Sequence, residues 1–235
     1  MTSWTFFTRA LFIILLCLRT GAEPVNTGVE AFSGNLDRSI SGAEICELAS
    51  KETVSYGLDP AHSKFIAHAH AGGLFWFEGH DHFLAAHDFS GHVETTSQSV
   101  VPAALRLVVK AASLEETGKV FTAAQKQIIN KEVHDLVLQP EQYPEIVLQS
   151  TNVSAKMGSD GSYDVKIDGD LTLHGVTKRV SIPVKLTLNG TDMRALGSFS
   201  INRNDFNVKA TSAVHGLVRI RENVTLDFDI VGHRK

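Results

Sequence analysis

From Tyr56 onward, apolar and polar residues alternate in short runs broken by Gly, Asn and Asp. The runs "LRLVVKA", "EIVLQST", "YDVKIDG", "DLTLHG", "RVSIPVKLTLNG", "MRALGSFSIN" and "GLVRIRENVTLDFDIVG" read as strands, several with the period of two that sets one face against a core. "GSDGS" and "LNGTD" carry the residues tight turns require and are the expected joints. One segment follows another period. In "FTAAQKQIINKEVHDLVLQP", Thr122 and Gln125 have capping-box spacing, Ile129, Val133, Leu136 and Val137 share one helical face, and Pro140 stops the run. The pattern therefore predicts an all-β fold: an antiparallel up-and-down barrel of about eight strands, closed to remove its edges, with a single amphipathic helix over its mouth. A barrel of that size is just wide enough to hold one apolar ligand.

Parity along the runs selects the inner face. Phe65, Leu105, Leu107, Val109, Ile146, Leu148, Leu171, Leu173, Phe199 and Ile201 are expected to point inward, where they would contact whatever the barrel holds.

The N-terminal residues follow neither pattern. Arg9 precedes an apolar run from Ala10 to Leu18, too short to span a bilayer, and Thr20 and Ala22 are small residues suited to cleavage. Residues 1–22 read as a secretory signal peptide, so the expected location is periplasmic or secreted, with no stable membrane span after signal removal. Leu16 before Cys17 argues against a lipid anchor. Residues 23–54 read as a polar tail, in which Ser41 and Glu44 have capping-box spacing for one short helix, and the barrel occupies 55–235.

Charge and cysteine content narrow the chemistry. Without residues 1–22 the chain carries 20 basic against 26 acidic side chains, a balance that does not attract a phosphate backbone, so nucleic acid is not an expected partner. Cys46 is then the only cysteine, which leaves no internal disulfide; its thiol reads as inert, and pairing between chains in a homodimer is the other reading. There is no nucleophile elbow, phosphate loop or dinucleotide fingerprint. In "AHSK", His62 and Ser63 would face opposite sides of a strand, so Ser63 is a poor nucleophile and an exported hydrolase ranks last among the readings. Asn152, Asn189 and Asn223 are glycosylation sequons that matter only in a glycosylating host.

The stretch "HAHAGGLFWFEGHDH", His68 to His82, is the chemically unusual one. If Leu74–Phe77 formed a strand of their own, the two H-x-H pairs would be separated by roughly 17 Å at about 3.3 Å per residue, beyond the reach of one ion. If the segment only connects antiparallel neighbours, His68/His70 and His80/His82 gather at one end of the barrel. Imidazoles suit Zn, Cu or Ni, with Asp81 a further ligand candidate, so a metal- or haem-binding barrel is one reading. A half-hydrated rim without a metal is the favoured one, with His87 and His92 on the same solvated face. Leu74, Phe75, Trp76 and Phe77 are expected to line or plug the entrance of an apolar cavity. His174 and Gly175 suit a hairpin turn, and Arg203 with Asp205 suits a local charge pair, Arg203 having a polar ligand head group as its alternative partner.

"YGLDPAHS", "YPEIVLQS", "GDLTLHGVTKRVSIPVKL" and "INRNDF", in this order from Tyr56 to His233, resemble the successive signatures of the YceI-like family of lipocalin-like proteins. The tail at 23–54 and the His-rich stretch depart from the family pattern. The resemblance implies a lipocalin-like eight-stranded antiparallel barrel with a helical cap, exported in most bacterial members, and an apolar tunnel for a polyisoprenoid or similar lipid tail. The expected function is that of an exported, non-enzymatic carrier for an isoprenoid, quinone or fatty-acyl chain, with no cofactor.

Overall fold

The computed structural model describes residues 52–73, 79–97, 99–210, 212–213 and 218–235. The expected signal peptide, most of the expected tail with Cys46 and the short helix expected at Ser41–Glu44, and Leu74, Phe75, Trp76 and Phe77 lie outside the described residues.

The strands are β1 (Thr53–Leu58), β2 (Lys64–Gly72), β3 (His82–Ala86), β4 (Phe89–Thr96), β5 (Ser99–Lys110), β6 (Leu114–Glu116), β7 (Glu145–Met157), β8 (Tyr163–Leu173), β9 (Val176–Asn189), β10 (Asp192–Asn202), the short β11 (Ser212–Ala213) and β12 (Val218–Arg234). All pairings are antiparallel. The ring runs β1-β4-β5-β7-β8-β9-β10-β12 and closes from β12 back to β1, which makes an eight-stranded antiparallel barrel.

Three of the eight staves are bent. β12 pairs with β1 at Gly232–Arg234 and with β2 over Arg219–Asp229, so β1 and β2 act as one strand broken by the 3-10 turn Pro60–His62. β3 and β4 form the second such stave, and β5 and β6, broken by the turn Ala111–Ser113, the third. The bends bond to each other: Lys110 N–H donates to the Asp88 carbonyl at 2.9 Å and His87 N–H to that of Ser113 at 3.2 Å.

The barrel starts at Thr53, two residues before the expected boundary, and Val54 is buried. "YDVKIDG" and "DLTLHG" are one strand, β8. Gly169 does not turn the chain there. A Cβ at Gly169 would stand 2.7 Å from the Gln149 carbonyl oxygen, so glycine permits close approach of β7, which bulges between Ser150 and Asn152. The turns at "GSDGS" and "LNGTD" join β7 to β8 and β9 to β10, with Gly161 at φ 78 and Gly190 at φ 62.

The helix α1 (Ala123–Glu132) starts with a complete capping box: Thr122 Oγ1 accepts from Gln125 N–H, and Gln125 Oε1 from Thr122 N–H. It continues as a π-helical turn, Val133–Leu138, that ends at Gln139 in the left-handed region, φ 48. The π spacing changes the inward face. Val133 and Leu138, five residues apart, are buried, whereas Leu136, expected on that face, is 59% exposed.

Candidate functional site

Topology brings four connections to the same end of the barrel: the link from β2 to β3, the helix between β6 and β7, the His174–Gly175 turn between β8 and β9, and the segment after β10. A cavity of about 980 Å³ opens there and reaches Val100 and Leu188, near the opposite turns. Every strand of the closed ring contributes to its wall. Phe65, Leu105, Leu107, Val109 and Ile146 line it, as do Leu148, Leu171, Leu173, Phe199 and Ile201. The same parity on β2 adds Ala67, Ala69 and Ala71, whose small side chains leave the bore open at that wall. Ile129, Val133, Val137 and Leu138 of the helical segment complete it, and half-exposed Leu136 sits at its lip.

The rim is polar: His80, His82 and the cations Arg203, Lys209 and Arg219 line the cavity beside the acid Glu132. These groups were not all legible. Lys209 falls outside any strand period or motif and Arg219 is a polar position in a strand run, and only the fold brings them to the opening.

The two H-x-H pairs do not join. His68 and His70 lie on β2 and His82 opens β3, but the register sets His82 opposite Ala69 and Phe83 opposite His68. Directly paired residues share a face of the sheet. His82 is therefore on the cavity side with Ala69, whereas His68 and Phe83 stack outside, ring centroids 4.2 Å apart. The four-imidazole cluster that the metal-binding alternative would need is therefore not formed.

Outside, His68 Nε2 lies 2.9 Å and His70 Nδ1 3.3 Å from the same oxygen, Asp81 Oδ2. Asp81 Oδ1 accepts from Ala71 N–H at 2.8 Å, and this bond, more than the imidazoles, holds the carboxyl below its usual pKa against the opposing effect of burial. Inside, His82 Nδ1 donates to Glu116 Oε2 at 2.7 Å and its ring stacks on Phe121 at 5.1 Å. Glu116, with a fully buried side chain, also accepts on Oε1 from Phe83 N–H at 3.2 Å and Gly118 N–H at 2.6 Å. Sequence reasoning missed Glu116, although its parity with Leu114 on β6, both buried, was an available signal.

Arg203 does not pair with Asp205. Its guanidinium donates to the Val208, Ile220 and Arg221 carbonyls and to Asn204 Oδ1, because the chain after β10 folds back and leaves backbone acceptors around it. His174 sits at φ 50 in the β8–β9 turn, bonded to Gln139 Oε1 at 3.0 Å, and burial lowers its pKa. The turn thus docks on the cap of the helical segment. Ser63 Oγ is engaged with backbone, donating to the Asp59 carbonyl and accepting from Val231 N–H at 2.9 Å. His87 and His92 are exposed.

Known proteins resemble this chain in sequence and in fold. A UPF0312 protein of Pseudomonas putida strain W619 is 30% identical over 151 residues, 61% of this chain and 68% of the relative. A UPF0312 protein of Pseudomonas syringae pv. syringae is 32% identical over 126 residues, 49% of this chain and 56% of that one. Among solved structures, BcnA of Burkholderia cenocepacia superposes with a TM-score of 0.58 at 22% identity, covering 74% of this chain and 98% of its own. A polyisoprenoid binding domain from Saccharophagus degradans does so with 0.54 at 15% identity, over 77% and 99%. At such identities these two show a shared fold. The model of the YceI-like domain matches residues 56–232, from the first strand to the last, and the chain belongs to that family.

Proposed function

We propose that the protein is an exported carrier or sequestering protein that buries the tail of a long apolar molecule, of isoprenoid, quinone or fatty-acyl type, inside the barrel. The observation that carries this reading is the bore of about 980 Å³, walled mainly by hydrocarbon side chains from the whole ring, with its charged side chains at the rim. A ligand chain would lie along Leu105, Leu107, Leu148, Leu171 and Phe199, with its polar end among His80, His82 and Arg203. Burial supplies the affinity: ten CH₂ groups at about 0.8 kcal/mol each give about 8 kcal/mol before ordering costs. The Saccharophagus domain, polyisoprenoid-binding by description, supports an apolar ligand for this barrel. Export rests on the Arg9 and Ala10–Leu18 pattern. The wall chemistry is that of a binding protein rather than an enzyme.

The test is a chain-length series. Delipidated protein titrated with prenyl alcohols of increasing length should bind each longer member more tightly until the bore is full. Affinity independent of length, or confined to the shortest members, would overturn the reading.

A further inference from the structure

The outer face of β2 carries a second constellation that the carrier reading does not use. We infer that His68, His70 and Asp81 form a binding site for one divalent transition-metal ion of the zinc class, on the outside of the barrel wall. The three donor atoms, one from each residue, lie within 4.8 Å of one another. Both imidazole nitrogens converge on Asp81 Oδ2, at 2.9 and 3.3 Å. A tetrahedral ion with bonds of about 2.0–2.1 Å holds its ligand atoms roughly 3.3 Å apart, so the two nitrogen–oxygen distances already lie within a few tenths of an ångström of what it needs.

Several features hold these donors in place. The i, i+2 spacing on a strand aims both rings to one side, their centroids 3.8 Å apart. Phe83, directly across the ladder, backs the His68 ring. Ala71 N–H occupies Asp81 Oδ1 at 2.8 Å and leaves Oδ2 facing the imidazoles, the supporting contact that orients a carboxylate ligand. Arg221 Nε donates to the carbonyl of the same Ala71 at 2.9 Å and so holds the next peptide group as well. Without an ion, both rings must turn an N–H toward a single carboxylate oxygen; with one, the metal replaces both protons at once.

The donors are half-exposed, His70 at 35% and Asp81 at 39%, so an ion reaches them from solvent without crossing the core. Two nitrogens and one oxygen suit Zn²⁺, with Co²⁺ as a spectroscopic substitute, and leave one coordination position for water. Glu116 and His82 are not part of this site: they lie on the inner face of the sheet, and Glu116 is saturated by two backbone N–H groups and His82.

The experiment is a calorimetric titration of the full chain with Zn²⁺, and an optical one with Co²⁺. The wild type should bind one equivalent of Zn²⁺ at micromolar concentration or tighter, gain melting temperature with it, and develop the visible bands of four-coordinate Co²⁺. His68→Gln with His70→Gln should abolish binding. Asp81→Asn, which keeps the acceptor for Ala71 N–H and so the local fold, should weaken it at least tenfold, and His87→Gln with His92→Gln should leave it unchanged. Circular dichroism of the metal-free variants separates loss of the site from loss of the fold. No uptake of Zn²⁺ by the wild type at micromolar concentration, or undiminished uptake by Asp81→Asn and the His68/His70 variant, would overturn the inference.

Discussion

Gly197 shows how a single position shapes the bore. It lies opposite Phe228 in the ladder of β10 with β12, and a Cβ there would stand 2.2 Å from Phe228 Cζ and 2.6 Å from the Pro183 carbonyl oxygen. The aromatic ring, which lines the cavity, occupies the space the glycine leaves. Gly197→Ala should destabilise the protein by about 1–3 kcal/mol, because the Pro183 backbone cannot yield as a flexible side chain would. Denaturant unfolding measures this, and an unchanged midpoint contradicts it. Which strand residues face inward was legible, since parity alone places Leu105, Leu107 and Val109 on the wall. The side of the sheet taken by each H-x-H pair was not. It depends on the register of β2 against β3, which puts His82 beside Ala69, and no spacing within "HAHAGGLFWFEGHDH" encodes that pairing. Arg203 is the same lesson in reverse: its partners are backbone carbonyls, which a sequence does not display.

At the scale of elements, the helix start was legible to the residue, because a capping box is a local device. Thr122→Ala removes the acceptor for Gln125 N–H and should cost about 1 kcal/mol, seen as a lower melting temperature at unchanged cavity binding. The π-helical end was not legible, since nothing in "KEVHDLVLQP" distinguishes five-residue from four-residue spacing before the fold selects Leu138 over Leu136 for burial. The barrel's closing seam gives a pH dependence. His233 donates to Asp192 at 2.9 Å and to Asp59 at 3.1 Å, and these carboxylates, Asp192 first, raise its pKa above the usual 6.5. Asp59, bonded by His62 and then His233, is lowered from 3.8 to about 2. A raised histidine stabilises fully below its unfolded pKa and loses that contribution as pH rises through the folded one. A depressed carboxylate stabilises above its unfolded pKa and loses that as pH falls through the folded one. The seam is therefore firmest between about pH 4 and 6.5. His233→Gln should flatten the alkaline side of the profile of melting temperature against pH while leaving part of the acid side, which His62 still maintains. An identical alkaline slope in the variant would refute this assignment.

For the whole molecule, the interior that holds the fold together is also the wall of the cavity, and this sets how it responds to filling. Leu107 is buried and faces the bore from the middle of β5. Leu107→Trp should reduce binding of a long prenyl alcohol at least tenfold and change stability by less than about 1 kcal/mol, because an open bore accepts a larger side chain that a packed core resists. A large loss of stability with binding intact would mean that Leu107 sits in a packed core.

At one place in the ring a helix stands where a ladder would run. β6 pairs only with β3, and among the described residues its other edge meets the helical segment: Asn130 Oδ1 accepts from Glu116 N–H at 2.7 Å and His134 Nε2 donates to the Leu114 carbonyl at 3.0 Å. Two side chains four residues apart thus perform the office of a missing strand. Uncovered backbone of this kind recruits a neighbouring molecule's strand, so the helix also guards against self-association. Asn130→Ala with His134→Ala should accordingly drive the protein toward oligomers in size-exclusion chromatography, at concentrations where the parent elutes unchanged. On this expectation two polar side chains of one helix decide whether the barrel keeps apart from its own copies.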